Sequence, residues 1–442
     1  MKKWTLIGFA VLIMLPGLAV RLFVLDSFES SSPPLAALLF GTCVVGAAFL
    51  LSWAIEAAQM DVPPAFALSV MALIAVLPEY SVDFVLTHQA GSDPAYQQFA
   101  VANMIGANRM IVGIAWPLVI FLFILKFRRR SINLGRSQRV EIGFLLLAGL
   151  YSLTLPLKGE IDLYDVFVFV GLFIAYTVRI AQAPLEEPDL MGPAAVLGEM
   201  PRARRVTAVA LMLIFSGAAI FLMADPFADS LIDTGTMLGA DPVFMVQWFA
   251  PLASEAPEII VCAMFTWRGL ASDGLGALVA SKVNQWTLLV GTLPLVFSLG
   301  SNRWRSLPLH GSYVEDGLTN QFDLVSQMLL TSGQTLLAVM IILNLRAGLK
   351  GAFVLIGLML GQFFLPAEIG GIETHIIFAA IYLVLALLLA LRDFSHFLPT
   401  AKSLVSPAYV REQVELEEAE EEMEKREVTS SGMKGLPVSR RG

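Results

Sequence analysis

Runs of about 18 to 25 mostly apolar residues recur along nearly all of this 442-residue chain, each long enough to cross the roughly 30 Å hydrocarbon core of a bilayer as a helix. In order they lie near 4–25, 35–58, 64–89, 96–125, 140–157 and 163–183, then near 206–223, 242–267, 274–299, 322–345, 352–365 and 374–391. That makes about twelve spans, of which 352–365 is the shortest. The ten-residue alternating segments of an outer-membrane barrel do not occur, so backbone polar groups have to be satisfied within helices. With 57% hydrophobic and 15% charged residues, the chain is too apolar for a water-soluble domain. The expected fold class is all-α and polytopic.

Basic residues mark the cytoplasmic ends of spans. With the amino end inside, Lys126, Arg128, Arg129, Arg130, Arg136 and Arg139 share one side with Arg202, Arg204, Arg205, Arg268, Arg346, Lys350 and Arg392. The connection 226–241 carries aspartates and no basic residue, as an exported loop would, while Lys158, Arg303 and Arg305 dissent. Lys2-Lys3 followed by an apolar run imitates a signal peptide, but the run continues through 23–25 without a small-residue cleavage site, which favours a retained first helix. The formal charge of −8 owes much to the acidic stretch 412–427, a solvated charge run that says little about substrate. From about Lys402 the tail reads as a short exposed helix followed by disorder.

One sequence occurs twice. The first copy is Leu73-Ile74-Ala75-Val76-Leu77-Pro78-Glu79-Tyr80-Ser81-Val82-Asp83, then Ala102-Asn103-Met104-Ile105-Gly106-Ala107-Asn108-Arg109. The second is Pro251-Leu252-Ala253-Ser254-Glu255-Ala256-Pro257-Glu258-Ile259-Ile260, then Ala280-Ser281-Lys282-Val283-Asn284-Gln285. The Pro-Glu pairs are 179 residues apart, and Gly113 to Gly291 (178) and Pro117 to Pro294 (177) keep nearly that offset. On the span count the two copies run in opposite directions through the membrane, the arrangement by which many secondary transporters alternate access.

Each Pro-Glu falls in the middle of an apolar run. Proline removes a backbone donor and can free carbonyls around Ala75 and Ser254 to face a cavity. A carboxylate at that depth costs several kcal/mol unless it meets a cation or a proton. Carbonyl and carboxylate oxygens are what Na⁺ and Ca²⁺ prefer. Asp83 follows Glu79 by four residues and Glu255 precedes Glu258 by three, so each pair shares a helix face. Against a cation site stands a structural ion pair, for which Arg109 and Lys282 are available.

At these residues the chain resembles the calcium/cation antiporter superfamily of the sodium/calcium exchangers, whose two alpha-repeats each carry a Gly/Ala-x-Ser-Leu-Pro-Glu helix and a Gly-Asn-x-x-Gly-Ser-Asn helix. It also looks like bacterial members called sodium:proton exchangers. The resemblance implies that Glu79 and Glu258 are the central cation ligands, with Ser254, Asn103, Asn108, Ser281 and Gln285 as supporting oxygens. Val76 and Glu255 stand where the family has serine, Ile111 where it has a ligand Asn or Asp, and Ala280–Gln285 lacks the anchoring glycine. Asp83, Glu255, Arg109 and Lys282 become charge-tuning or proton-coupling residues, the two bases taking the electrostatic role of one or two Na⁺ ions.

The implied plan is a core of five plus five helices in inverted repeat. Residues 1–30 form an extra helix, 35–183 the first exchanger half with its repeat at 64–125, and 184–205 a cytoplasmic linker. Residues 206–366 form the second half with its repeat at 242–299, 373–392 an extra C-terminal helix, and 400–442 a charged cytoplasmic tail, partly disordered. The implied function is secondary-active antiport of Na⁺ or H⁺ for Ca²⁺ or another cation, with Na⁺/H⁺ exchange and a passive cation channel as alternatives. The implied partners are membrane lipid and mono- or divalent cations, with no cofactor, no nucleic acid and no enzymatic activity. The expected state is a monomer or homodimer in the bacterial cytoplasmic membrane, both termini cytoplasmic.

Other signals carry less. Cys43 and Cys262 sit in apolar runs and read as small packing residues. His88, His310, His375 and His396 lie singly, which disfavours zinc. No P-loop or dinucleotide fingerprint occurs. An intramembrane protease lacks a paired His/Glu set or a Ser-Lys dyad. Arg128–Arg130 could meet lipid headgroups but serves first as a topology signal.

Overall fold

The computed structural model describes residues 2–23, 32–58, 60–61, 77–182, 190, 192–315 and 318–430. The first stretch of chain holds α1 (Lys2–Phe23), α2 (Pro33–Ala58), α3 (Leu77–Ser92), α4 (Tyr96–Phe127), β1 (Ser131–Asn133), α5 (Arg139–Ser152), β2 (Glu160–Ile161) and α6 (Leu163–Ile180). Next come α7 (Gly192–Gly198), α8 (Arg202–Leu238), α9 (Pro242–Trp267), α10 (Ala271–Ser301), β3 (Leu307–Pro308), β4 (His310–Glu315) and β5 (Leu318–Asp323). The remainder is α11 (Val325–Ile342), β6 (Arg346–Gly348), α12 (Leu349–Phe364), β7 (Glu368–Ile369), β8 (Ile372–Glu373), α13 (Thr374–Arg392), α14 (Phe397–Val405) and α15 (Pro407–Ser430). Among the described residues ten helices are long and apolar enough to cross a membrane. Two predicted spans remain: α12 has 16 residues, and α3 is the described part of 64–89, whose beginning, with Ala75 and Val76, lies outside the described residues. The protein is an all-α, polytopic membrane protein.

Helices α3, α4, α9 and α10 form the centre. α9 packs on α4 and α10 on α3, while α3 packs on α4 and α9 on α10. Lipid tails are as apolar as leucine, so helices gain most by close backbone approach at small residues. The two crossings show it. A Cβ on Gly106 would stand 1.7 Å from the Gln247 carbonyl oxygen of α9, and one on Gly300 would stand 1.9 Å from the His88 carbonyl oxygen of α3.

Two short ribbons repeat the same exchange. The strand after α4 pairs with the one before α12, Ser131 opposite Gly348, and the strand after α10 pairs with the one before α6, Glu160 opposite Pro308. The end of α4 is thereby tied to the start of α12, and the end of α10 to the start of α6.

The structure departs from the sequence expectation at α8. The segment 226–241, expected as a loop, is helical to Leu238, giving a helix of 37 residues or about 55 Å. Ala224, Phe227, Ala228 and Leu231 are buried at helical spacing. Aspartates here meet α3 and α4: Gln89 Nε2 donates to Asp225 Oδ1, just before the segment, at 2.9 Å, and the Tyr96 hydroxyl to Asp229 Oδ1, within it, at 2.8 Å. The tail helix is longer than expected, 24 residues, and leans on the α4–α5 connection, where Glu417 accepts from the Arg136 amide (2.9 Å) and Glu420 pairs with its guanidinium (2.7 Å). Its predicted disordered end, 431–442, lies outside the described residues.

Lys158 breaks the charge rule for a local reason. Its ammonium pairs with Asp165 at 2.6 Å and Asp162 at 3.0 Å, the acids that cap the start of α6. On the basic face, Asp61 accepts from Nε and Nη2 of Arg205, at 2.6 and 2.7 Å, fixing the start of α8 to the end of α2. That guanidinium holds the Asp61 carboxyl below the usual carboxylate range. The stability this contributes is present above the unfolded pKa of about 3.9 and fades as the pH falls through the folded value.

The glycine crossings make the packing testable. Gly106→Val is expected to abolish monodisperse protein in detergent size-exclusion chromatography, whereas Gly171→Ala and Gly217→Ala, where an added Cβ meets nothing within 4 Å, keep the wild-type profile. A wild-type profile for Gly106→Val would mean that α4 and α9 do not cross as described.

Candidate cation site

The acids of the two repeats face one another across the central helices. Glu79 (5% exposed) and Asp83 (1%) project from successive turns of α3, and Glu255 (2%) and half-buried Glu258 from α9. The Glu79 carboxyl lies against that of Glu255, with Asp83 and Glu258 in electrostatic reach. Three buried like charges with a half-buried fourth beside them are tolerable only with cations or protons among them.

Three of the acids take a polar neighbour from the following helix of their own repeat. Asn103 Nδ2 donates to Asp83 Oδ1 at 2.7 Å, Ser281 Oγ to Glu258 Oε2 at 3.1 Å, and Gln285 Nε2 to Glu255 Oε1 at 2.6 Å. Each following helix opens into a π-turn, Ile111–Ala115 in α4 and Gln285–Leu289 in α10. Pro117 removes the donor for the Gly113 carbonyl inside the first turn, and Pro294 that for Val290 just after the second. Such bulges re-aim side chains and gather at functional positions; here one begins at Gln285 itself.

On these residues the buried atoms without a partner are Glu79 Oε1, Asp83 Oδ2, Asn103 Oδ1, Glu255 Oε2 and Gln285 Oε1. All are oxygen acceptors. A buried acceptor without a donor costs about 1–3 kcal/mol, and a hard cation takes oxygens of this kind as ligands. Among the described residues no three His, Cys, Asp or Glu side chains converge closely enough to hold a metal ion. A cation here would therefore draw on amide and hydroxyl oxygens alongside at most two carboxylates.

Lys282 joins the halves. Fully buried, its ammonium donates to the Asn108 amide oxygen at 2.7 Å and to the Asn108 carbonyl, lies 5.5 Å from the Trp286 ring centroid, and is within electrostatic reach of Glu79 and Glu255. The Asn108 amide nitrogen donates to the Met104 carbonyl at 3.0 Å, so its oxygen is turned toward the lysine.

Two sequence candidates stand apart. Arg109 points to a different side of α4 from Asn108, where it donates to Gln362 Oε1 and stacks 5.1 Å from the Trp248 ring centroid; none of these contacts is to the four acids. Ser254 turns its hydroxyl onto its own helix, donating at 3.3 Å to the carbonyls of Ala250 and Pro251. Sequence reasoning passed over Gln362, Gln334, Trp248 and Trp286. Gln362 is the one amide in the α12 run, and Thr331, Ser332, Gln334 and Thr335 interrupt that of α11, so the signal was present. Gln334 Nε2 donates to the Arg109 carbonyl at 3.4 Å and Trp286 Nε1 to Thr335 at 2.7 Å.

The sequence profile of the sodium/calcium exchanger protein family matches residues 32–181 and 208–366, which run from α2 to α6 and along most of α8 to α12. No curated protein matches the chain. A solved structure described as the crystal structure of the H⁺/Ca²⁺ exchanger CAX is 36% identical and superposes with a TM-score of 0.83, covering 94% of this chain and 99% of that one. One described as native YfkE, at 9% identity and a TM-score of 0.55 over 85% of this chain and 99% of that one, speaks for the fold alone. The family profile and the match to the H⁺/Ca²⁺ exchanger structure show cation antiport across a membrane. The chain belongs to the sodium/calcium exchanger protein family.

Proposed function

We propose that this antiporter exchanges H⁺ for Ca²⁺ by alternating access, with α2–α6 and α8–α12 as halves of opposite orientation. The observation that carries this reading is the set of partnerless buried oxygens on Glu79, Asp83, Asn103, Glu255 and Gln285. Glu79 and Glu258, one from each half, serve as the central carboxylates. Ser281 orients Glu258, Gln285 orients Glu255 and Asn103 orients Asp83. Protons and Ca²⁺ compete for the same carboxyl oxygens, so loading one requires release of the other, which is the coupling an antiporter needs.

Lys282 sets the number of mobile ions. Its ammonium takes the two Asn108 oxygens that would otherwise serve a cation, so one tethered charge replaces one transported ion. The CAX structure, 36% identical, is described as that of an H⁺/Ca²⁺ exchanger, which supports H⁺ as the counter-ion. The family profile supports Na⁺ as the second reading. A passive channel needs a continuous water column at the site, and the near-complete burial of Glu79, Glu255 and Lys282 weighs against one.

In proteoliposomes an acid interior is expected to drive ⁴⁵Ca²⁺ uptake without Na⁺. Glu79→Gln and Glu258→Gln should each slow it by roughly 100-fold, since a buried charged contact is worth about 1.5–3 kcal/mol. Uptake driven by a Na⁺ gradient alone would replace H⁺ by Na⁺, and uptake without any opposing gradient would make the protein a channel.

Lys282→Met is expected to lower stability by about 3–5 kcal/mol, because it leaves the acids without their tethered countercharge. Adding Glu255→Gln should restore part of that loss in thermal unfolding. Strictly additive losses would show that the two groups are not electrostatic partners.

A further inference from the structure

A cavity of about 430 Å³ opens between α11, α12 and α13, and none of the four acids lines it. Its length is apolar, walled by Leu337 and Ile341 of α11, Val354 of α12 and Leu385, Leu388 and Leu389 of α13. One end is basic, rimmed by Arg346, Lys350 and Arg392. We propose that this cavity binds one anionic phospholipid, its phosphate among the three cations and an acyl chain along the apolar wall.

The backbone that carries two of the cations is fixed by strand pairing and a tight turn. Arg346 belongs to β6, which pairs it with Asn133, and its amide donates to Asn344 Oδ1 at 3.0 Å after a left-handed residue, Leu345 (φ 61). Lys350 is the second residue of α12, two after Gly348, which is itself paired with Ser131. Gly351 lets α12 close on α11, since a Cβ there would stand 2.5 Å from an Ile341 methyl.

Charge selects the headgroup. Arg392 already pairs with Asp393 at 2.5 Å, whereas Arg346 and Lys350 have no ion pair among the described residues. The rim thus keeps a surplus of positive charge. A zwitterionic lipid would bring its own ammonium to that surplus, while phosphatidylglycerol brings only the phosphate. Free phosphate would gain nothing from the six apolar side chains, and a basic pocket between helix ends at the headgroup level is where anionic lipids dock.

The test is native mass spectrometry of the full chain in detergent, titrated with phosphatidylglycerol or phosphatidylcholine. One phosphatidylglycerol per chain is expected to bind in preference to phosphatidylcholine, and Arg346→Gln with Lys350→Gln should weaken it about 30-fold, at roughly fivefold per lost cation. Leu388→Trp, which fills the wall and leaves the cations intact, should weaken it as well. Arg346, Lys350 and Leu388 are exposed, so these variants leave the packed core as it is. Equal binding of both lipids, unchanged binding in the double variant, or displacement by millimolar inorganic phosphate would overturn the proposal.

Discussion

The ammonium of Lys282 and the acids around it constrain everything else in this molecule. A lysine with no exposed surface, placed between the Asn108 oxygens of one half and the Glu79–Glu255 pair, is tolerable only where several oxygens replace its water. It reaches from α10 of the second half to α4 of the first, so the charge balance of the site exists only when the halves are assembled. Removing one partner leaves the rest uncompensated, which makes the acids, the lysine and the helix packing a single unit.

The packing supplies that assembly by simple means. Gly106 and Gly300 let the central helices cross almost backbone to backbone, and the β1–β6 and β2–β3 ribbons tie the end of α4 to the start of α12 and the end of α10 to the start of α6. The π-turns at Ile111 and Gln285 are the matching local defects. Both lie one helix after a Pro-Glu, at the depth where a straight helix would have no spare acceptors. Glu79 and Asp83 come from α3 and Glu255 and Glu258 from α9, so the four acids are divided between the two stretches of chain that match the family profile.

Much of this was legible in the sequence. Span lengths and the doubled Pro-Glu are local and pointed to the acids, while Asn103, Ser281 and Gln285, which hydrogen-bond three of those acids, were named through the resemblance to the exchanger repeats. Facing direction was not legible. Asn108 and Arg109 are neighbours about 100° apart on one helix, and when both faces of a helix are buried no periodicity says which one meets the acids. Asn108 turned to Lys282 and Arg109 to Gln362. Asp229 and Asp233 likewise read as part of a loop because nothing local shows their place in a helix: Asp229 takes the hydroxyl of Tyr96, over a hundred residues away.

The central claim is that Ca²⁺ and protons compete for carboxyl oxygens shared by the two halves. Equilibrium ⁴⁵Ca²⁺ binding to the purified protein in weakly buffered solution, with pH followed in the same sample, tests it most directly. The account requires bound Ca²⁺ to release protons and requires both signals to vanish in the Glu79→Gln/Glu258→Gln double variant. Ca²⁺ bound to that variant with wild-type affinity would contradict it.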